Sequence, residues 1–192
     1  GFASGVVSMG WVLLILGVAL WWAAHLFKRV MPGQRAAMGN AGKGAVALAI
    51  VVSVVLMALG FRATPYVAVW TPPTLMIHIN NTLMIFALWM TSPAGQKGLI
   101  LNKVRHPMLG GFKLWAFAHL LVNGDLASIV MFGSLLAWAV CEVIVINKSE
   151  PNWAPGAPGT LAKDAMFFAV SIVLLGVIGM IHGWLGYWPF PQ

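Results

Sequence analysis

The sequence predicts an all-α polytopic membrane protein: a bundle of about six transmembrane helices with a short fourth helix and a tight NGD turn. Three observations carry this prediction. Of the 192 residues, 60% are hydrophobic and only 8% are charged, whereas a soluble domain has roughly 25% charged residues. Several apolar runs reach the ~20 residues that cross ~30 Å of hydrocarbon. Ten tryptophans are present, a residue that favours membrane–water interfaces.

The elements follow in order. The first span covers about residues 5–27 and runs into WWAAHLFKR. Its length and the lack of a cleavage-site pattern make it a span, not a signal peptide. Because the chain begins at Gly1 without methionine, further residues are expected before it. The second span covers about 44–61. The third begins at TPP, with Thr71 as N-cap and prolines in the first turn, and runs to Met90. The fourth, 107–122, is about 24 Å long at 1.5 Å per residue, which is short for the hydrocarbon core. The fifth covers 126–146 and the sixth about 165–186. NKSEPNWAPGAPGT between them is a Pro- and Gly-rich surface loop. In TPYVAVWTPP, Tyr66 and Trp70 are interface anchors. No repeat or linker divides the chain, so residues 1–192 read as one domain.

Loop charges orient the spans. Lys28, Arg29, Arg35, Lys43, Lys97, Lys103, Arg105, Lys148 and Lys163 fall on one side, and only Arg62 on the other. By the positive-inside rule the first side is cytoplasmic and both termini are not. The net charge of +7 is therefore a matter of membrane orientation, and no nucleic-acid partner is implied. The single cysteine, Cys141, excludes an internal disulfide and a cysteine-built zinc site. Nucleotide-binding glycine loops, HExxH and readable nucleophile–base pairs are absent. So are paired broken helices of the transporter kind.

The chemistry-bearing residues lie inside the apolar runs, where ionisable groups are costly and face the bundle interior. Five histidines suit a metal or haem. Depth sorts them into His25 with His106, and His78, His119 and His182 near the other end. Two ligands to one iron must come from one of these sets. His78 shares a polar stripe with Thr74, Asn81 and Thr82, which should face other helices. His119 shares a face with Met108, Phe112, Trp115 and Asn123. That face suits either a planar cofactor or aromatic packing. His182 lies in a Gly179–Gly183 GxxxG spacing that allows close helix approach. Arg105 and His106 precede Pro107 at a helix start, as interface anchors or as a site for an anionic group. Lys113 can snorkel or pair with Glu142. Gly124 suits a left-handed C-cap, and Asp125 after Asn123 suits the N-cap of the next span.

Three blocks carry a resemblance: AHLFKR, RATPYVAVWTPP, and RHPMLGGFKLWAFAHLLVNGDLAS with FGSLLAWA. Through them the chain resembles the NnrU family of bacterial membrane proteins over most of its length. That implies a bacterial inner membrane location and an association with denitrification, meaning nitrite and nitric oxide reduction. The family is related to 15-cis-zeta-carotene isomerase, a membrane enzyme with haem b. That resemblance matches its first-span histidine to His25, and its RHP and AH segments to Arg105, His106, Pro107 and His119. A histidine pair on its next helix is matched here by Trp138 and Ala139. A haem on His25, His119 or His106 is therefore implied with one expected ligand missing. Isoprenylcysteine carboxyl methyltransferases share an RHP-type segment, but their downstream acidic, tyrosine and basic–proline set is not present here.

Three functions follow as expectations. The chain is an NnrU-like protein that binds haem or a hydrophobic ligand for a membrane redox system, a polyene isomerase, or a non-catalytic subunit or assembly factor of a larger membrane complex.

Overall fold

The structure is a computed structural model that describes residues 2–192, with the side chains of residues 2–4 and 6–8 outside the description. The reading of Gly1 falls outside it too. Among the described residues the fold is all-helical, and only isolated bridges interrupt it. In chain order the helices are α1 (Phe2–Val30), α2 (Pro32–Ala37), α3 (Gly39–Ala63), α4 (Leu75–Thr91), α5 (Ala94–Lys97), a 3-10 turn (Leu101–Lys103), α6 (Pro107–Val122), α7 (Leu126–Ser149) and α8 (Leu161–Trp184). Four helices are long and apolar enough to cross a membrane: α1 over Met9–Val30, α3, α7 and α8. The apolar helices α4 and α6 have 17 and 16 residues. The sixteen-residue fourth element thus has the bounds expected of it.

The chain forms two compact units. The first holds residues up to Val69 together with Asp125–Ser149. Here α1 and α3 pack as an antiparallel hairpin at backbone distance. A Cβ on Gly60 would lie 2.3 Å from Leu14 N, one on Gly10 2.7 Å from Ala63 C, and one on Gly17 2.7 Å from Met57 N. Such small-residue seams let helices meet where lipid supplies no hydrophobic driving force. Ser53 is fully buried on α3 and returns its hydroxyl to Ile50 O at 2.6 Å. Helix α7 enters this unit at Asp125, whose carboxylate accepts from Ser128 N at 3.1 Å. This is the expected N-cap. The backbone of Val67 accepts from Leu126 N at 2.8 Å, which ties the start of α7 to the 64–69 segment.

The second unit holds Trp70–Gly124 and Glu150–Gln192. Helix α4 begins at Leu75 with Thr74, not Thr71, at the N-cap, and no side chain caps it. Helices α4 and α6 pack around Met84, Ala87 and Ala118, with Leu114, Trp115 and Leu175 against that core. Gly111 makes the close approach: a Cβ there would lie 2.6 Å from Ala87 O. Gly124 is not the expected left-handed cap, since the described positive-φ residues are Gly39 and Gly186. Glycine is needed there for space. A Cβ would stand 1.9 Å from Trp70 O, while Trp70 N donates to Gly124 O at 3.1 Å.

The Gly179–Gly183 spacing also has a different use from the expected one. Helix α8 ends where Gly186 adopts φ 95° and Tyr187 N donates back to His182 O at 2.8 Å. The tail then folds over α8. A Cβ on Gly179 would meet the Phe190 ring at 2.2 Å, and one on Gly183 the Trp188 ring at 2.7 Å. The spacing thus seats two aromatic rings of the tail. Gly179→Ala should destabilise the protein by about 1 kcal/mol through overpacking. In a Phe190→Ala background the same change should cost almost nothing, read by thermal unfolding of the double-mutant cycle. Equal costs in both backgrounds would show that Phe190 is not what Gly179 accommodates.

Candidate functional site

Three histidines within the apolar helices α1, α6 and α8 are held in one way. Nδ1 lies 2.8 Å from the carbonyl one turn earlier: His25 on Trp21 O, His119 on Trp115 O, and His182 on Ile178 O. A carbonyl only accepts, so the contact puts the proton on Nδ1 and the lone pair on Nε2. Metal-binding histidines are commonly oriented by this kind of backbone contact.

In the first unit His25 is enclosed by indoles. Its ring centroid lies 4.1 Å from that of Trp21 and 4.6 Å from that of Trp138, and the two indoles meet edge-on at 5.2 Å. One turn further along the same helices lie Arg29 on α1 and Glu142 on α7. Glu142 is only 8% exposed and lies within electrostatic reach of Arg29. Arg29 also donates to Ser149 Oγ at 3.3 Å. The Glu142 carboxylate lies beside the Trp138 indole, and its Oε2 is buried without a partner. For Lys113 the sequence leaves snorkelling or a pair with Glu142 open; within the first unit Arg29 is the cation near Glu142.

In the second unit α6 and α8 bring His119 and His182 together. Their ring centroids are 6.5 Å apart with planes inclined at 41°. Trp115 lies 5.0 Å from His119, and Phe112 5.1 Å from Trp115. Asn123 closes the C-terminal end of α6 by donating to His119 O at 2.8 Å.

Other expectations shift. His78, Thr74 and Thr82 are exposed, while Asn81 of the same stripe is half-buried and donates from Nδ2 to Pro189 O at 3.3 Å. The Thr82 hydroxyl bonds back to His78 O at 2.9 Å, which satisfies it within its own helix. The inward polar residue of α4 is Asn80, only 7% exposed, which donates to Asn81 Oδ1 at 3.1 Å. His106 is the N-cap residue of α6 with Pro107 at N1, as its position before proline implies.

One buried acid was not singled out from sequence. Asp164 in the first turn of α8 is 2% exposed. It accepts from Leu99 N and Ile100 N at 2.6 and 2.8 Å. Thr160, the N-cap one turn before it, was the available signal. Among the described residues no group of three or more His, Cys, Asp or Glu could hold a metal ion.

The NnrU protein family model matches residues 13–189. The chain belongs to the NnrU family. The match runs through both units and takes in His25, the RHP block, His119 and His182. No curated protein and no solved structure matches the chain. NnrU membership and an all-helical, membrane-type fold are therefore the firm identity.

Proposed function

We propose that this NnrU-family chain is a multi-pass protein of the bacterial inner membrane that holds a haem-type cofactor on His119 and His182. It would serve nitrite and nitric oxide reduction or another membrane redox system. The observation that carries the cofactor reading is the pairing of the two anchored imidazoles at 6.5 Å. With metal–nitrogen bonds of about 2 Å, two imidazoles on opposite sides of one metal have ring centroids roughly 6 Å apart. Two protein ligands suit a centre whose remaining positions come from a macrocycle. A haem would supply electron transfer or ligand exchange at iron. The chain's own part is to fix both ring orientations through Trp115 O and Ile178 O, with Trp115 as an apolar wall.

In this reading α4 and α6 complete six spans, residues 1–192 act as one functional domain, and the nine loop cations face the cytoplasm with both termini opposite. The exposed apolar surfaces of α3 and α8 suit contact with lipid. The carotenoid-isomerase reading is weaker, because Trp138 packs on His25 where the related enzyme has a histidine.

The test is spectral. Protein purified in mild detergent from haem-replete cells should show a Soret band whose reduced form is that of a six-coordinate bis-histidine haem. His119→Ala and His182→Ala should each remove that signature, while His25→Ala and His78→Ala keep it. No Soret band in the native protein, or loss only in His25→Ala, would sink the assignment. Absence of haem with co-purification of a stoichiometric partner would favour a non-catalytic subunit.

A further inference from the structure

The 91–109 segment and the loop after α7 enclose an open cavity of about 750 Å³ in the second unit, separate from the histidine pair. Its polar lining includes Gln96, Asn102, Arg105 and His106, and none of its lining residues is acidic. Arg105 donates to the carbonyl of Glu150, yet its Nε is buried without an acceptor. A buried guanidinium donor left unmatched is costly, and the Arg105 side chain that carries it lines the cavity. Asn102 is 9% exposed. It lines the same space, and its Nδ2 donates to Ala157 O at 3.4 Å. The N-terminus of the sixteen-residue α6 opens at His106 and Pro107, adding the positive end of a helix dipole.

Thr91 and Ser92 also line the cavity, and apolar side chains make up much of the remainder. Val104, Met108 and Trp153 border the cavity and are 39%, 65% and 42% exposed. The volume is that of a pocket for a whole small molecule and far exceeds a bare anion. The lining thus combines donors and positive charge with apolar side chains.

We propose that this cavity binds a phosphate-type anion, with Arg105 as its charge contact and Val104, Met108 and Trp153 receiving apolar groups attached to it. A lipid phosphate and a free phosphate share that chemistry. The proposal stands apart from the His119–His182 reading, since it uses none of those residues.

The test is native mass spectrometry of the full chain released from detergent, with phosphatidylglycerol and phosphatidylcholine offered in turn and with inorganic phosphate as competitor. Native protein should retain phosphatidylglycerol over phosphatidylcholine. Arg105→Gln should weaken that retention about tenfold, the order expected when a charge-assisted contact is lost. Lys97→Gln removes a charge from the same segment but not from the lining, and should change retention less than twofold. Arg105→Lys should restore part of the binding, which separates charge loss from misfolding. Displacement of the lipid by millimolar inorganic phosphate would assign the site to the free anion; failure to displace it would assign the site to the lipid. Equal losses in Arg105→Gln and Lys97→Gln would mean diffuse attraction to basic loops and would overturn the proposal. So would lack of headgroup preference in the native protein.

Discussion

A Gly60→Ala variant should unfold several degrees below the native protein in the same detergent. The added Cβ would lie 2.3 Å from Leu14 N and 2.7 Å from Leu14 Cα, with Gly10 O at 2.8 Å. All three are backbone atoms of α1, so no rotamer change can relieve the overlap. The hairpin must separate, which forfeits dispersion contacts along the seam from Gly10 to Gly17. Overpacking costs typically about 1–3 kcal/mol, and a rigid backbone clash belongs at the upper end. Gly44→Ala is the internal control, since a Cβ there meets nothing within 4 Å. It should be neutral or slightly stabilising by helix propensity. If both variants melt alike, the close α1–α3 seam is not what the glycine serves.

Asp164→Ala should have a comparable or larger effect, at about 3–5 kcal/mol. Its carboxylate oxygen is the acceptor for two consecutive backbone N–H groups, Leu99 at 2.6 Å and Ile100 at 2.8 Å. Hydrogen bonds to a charged group contribute about 1.5–3 kcal/mol each. The truncation also leaves both donors without that acceptor and opens a void beside Gly98, where a Cβ would lie 2.0 Å from Asp164 Oδ1. Asp164→Asn keeps one acceptor oxygen and nearly the same volume, so it should lose less than half as much. The reading is the thermal midpoint together with amide exchange at Leu99 and Ile100, which should become unprotected in Asp164→Ala. A midpoint unchanged within about one degree, with protection retained, would show that the 98–100 loop is held by other contacts.

These two positions mark the boundary of what pattern reading reaches. Apolar run length and Pro107 placed α6 to the residue, because both are local signals; the other five apolar runs overlap α1, α3, α4, α7 and α8, and four of the six helices are long and apolar enough to cross a membrane. The Asp125 cap was legible for the same reason. Gly60 was not singled out, because its role depends on which helix lies across from it. Gly124 was singled out for the wrong property: local chemistry suggested a left-handed cap, whereas the tertiary structure uses its missing side chain to admit Trp70 O. Gly179 and Gly183 likewise have helix–helix spacing but receive the rings of Phe190 and Trp188.

The candidate site divides in the same way. The sequence by itself determined a membrane-class, all-helical chain, the histidines as its scarce ligand-capable groups, and the resemblance to NnrU that the family match bears out. Depth along the spans restricted which histidines could share a centre. Only the tertiary structure shows which of them lie near one another. It set His119 beside His182, closed two indoles around His25, gave Glu142 the charge of Arg29, and turned His78 outward. The physical reason is that a helix period fixes which residues share a face, while the rotation and partner of that face depend on packing against chain segments tens of residues away.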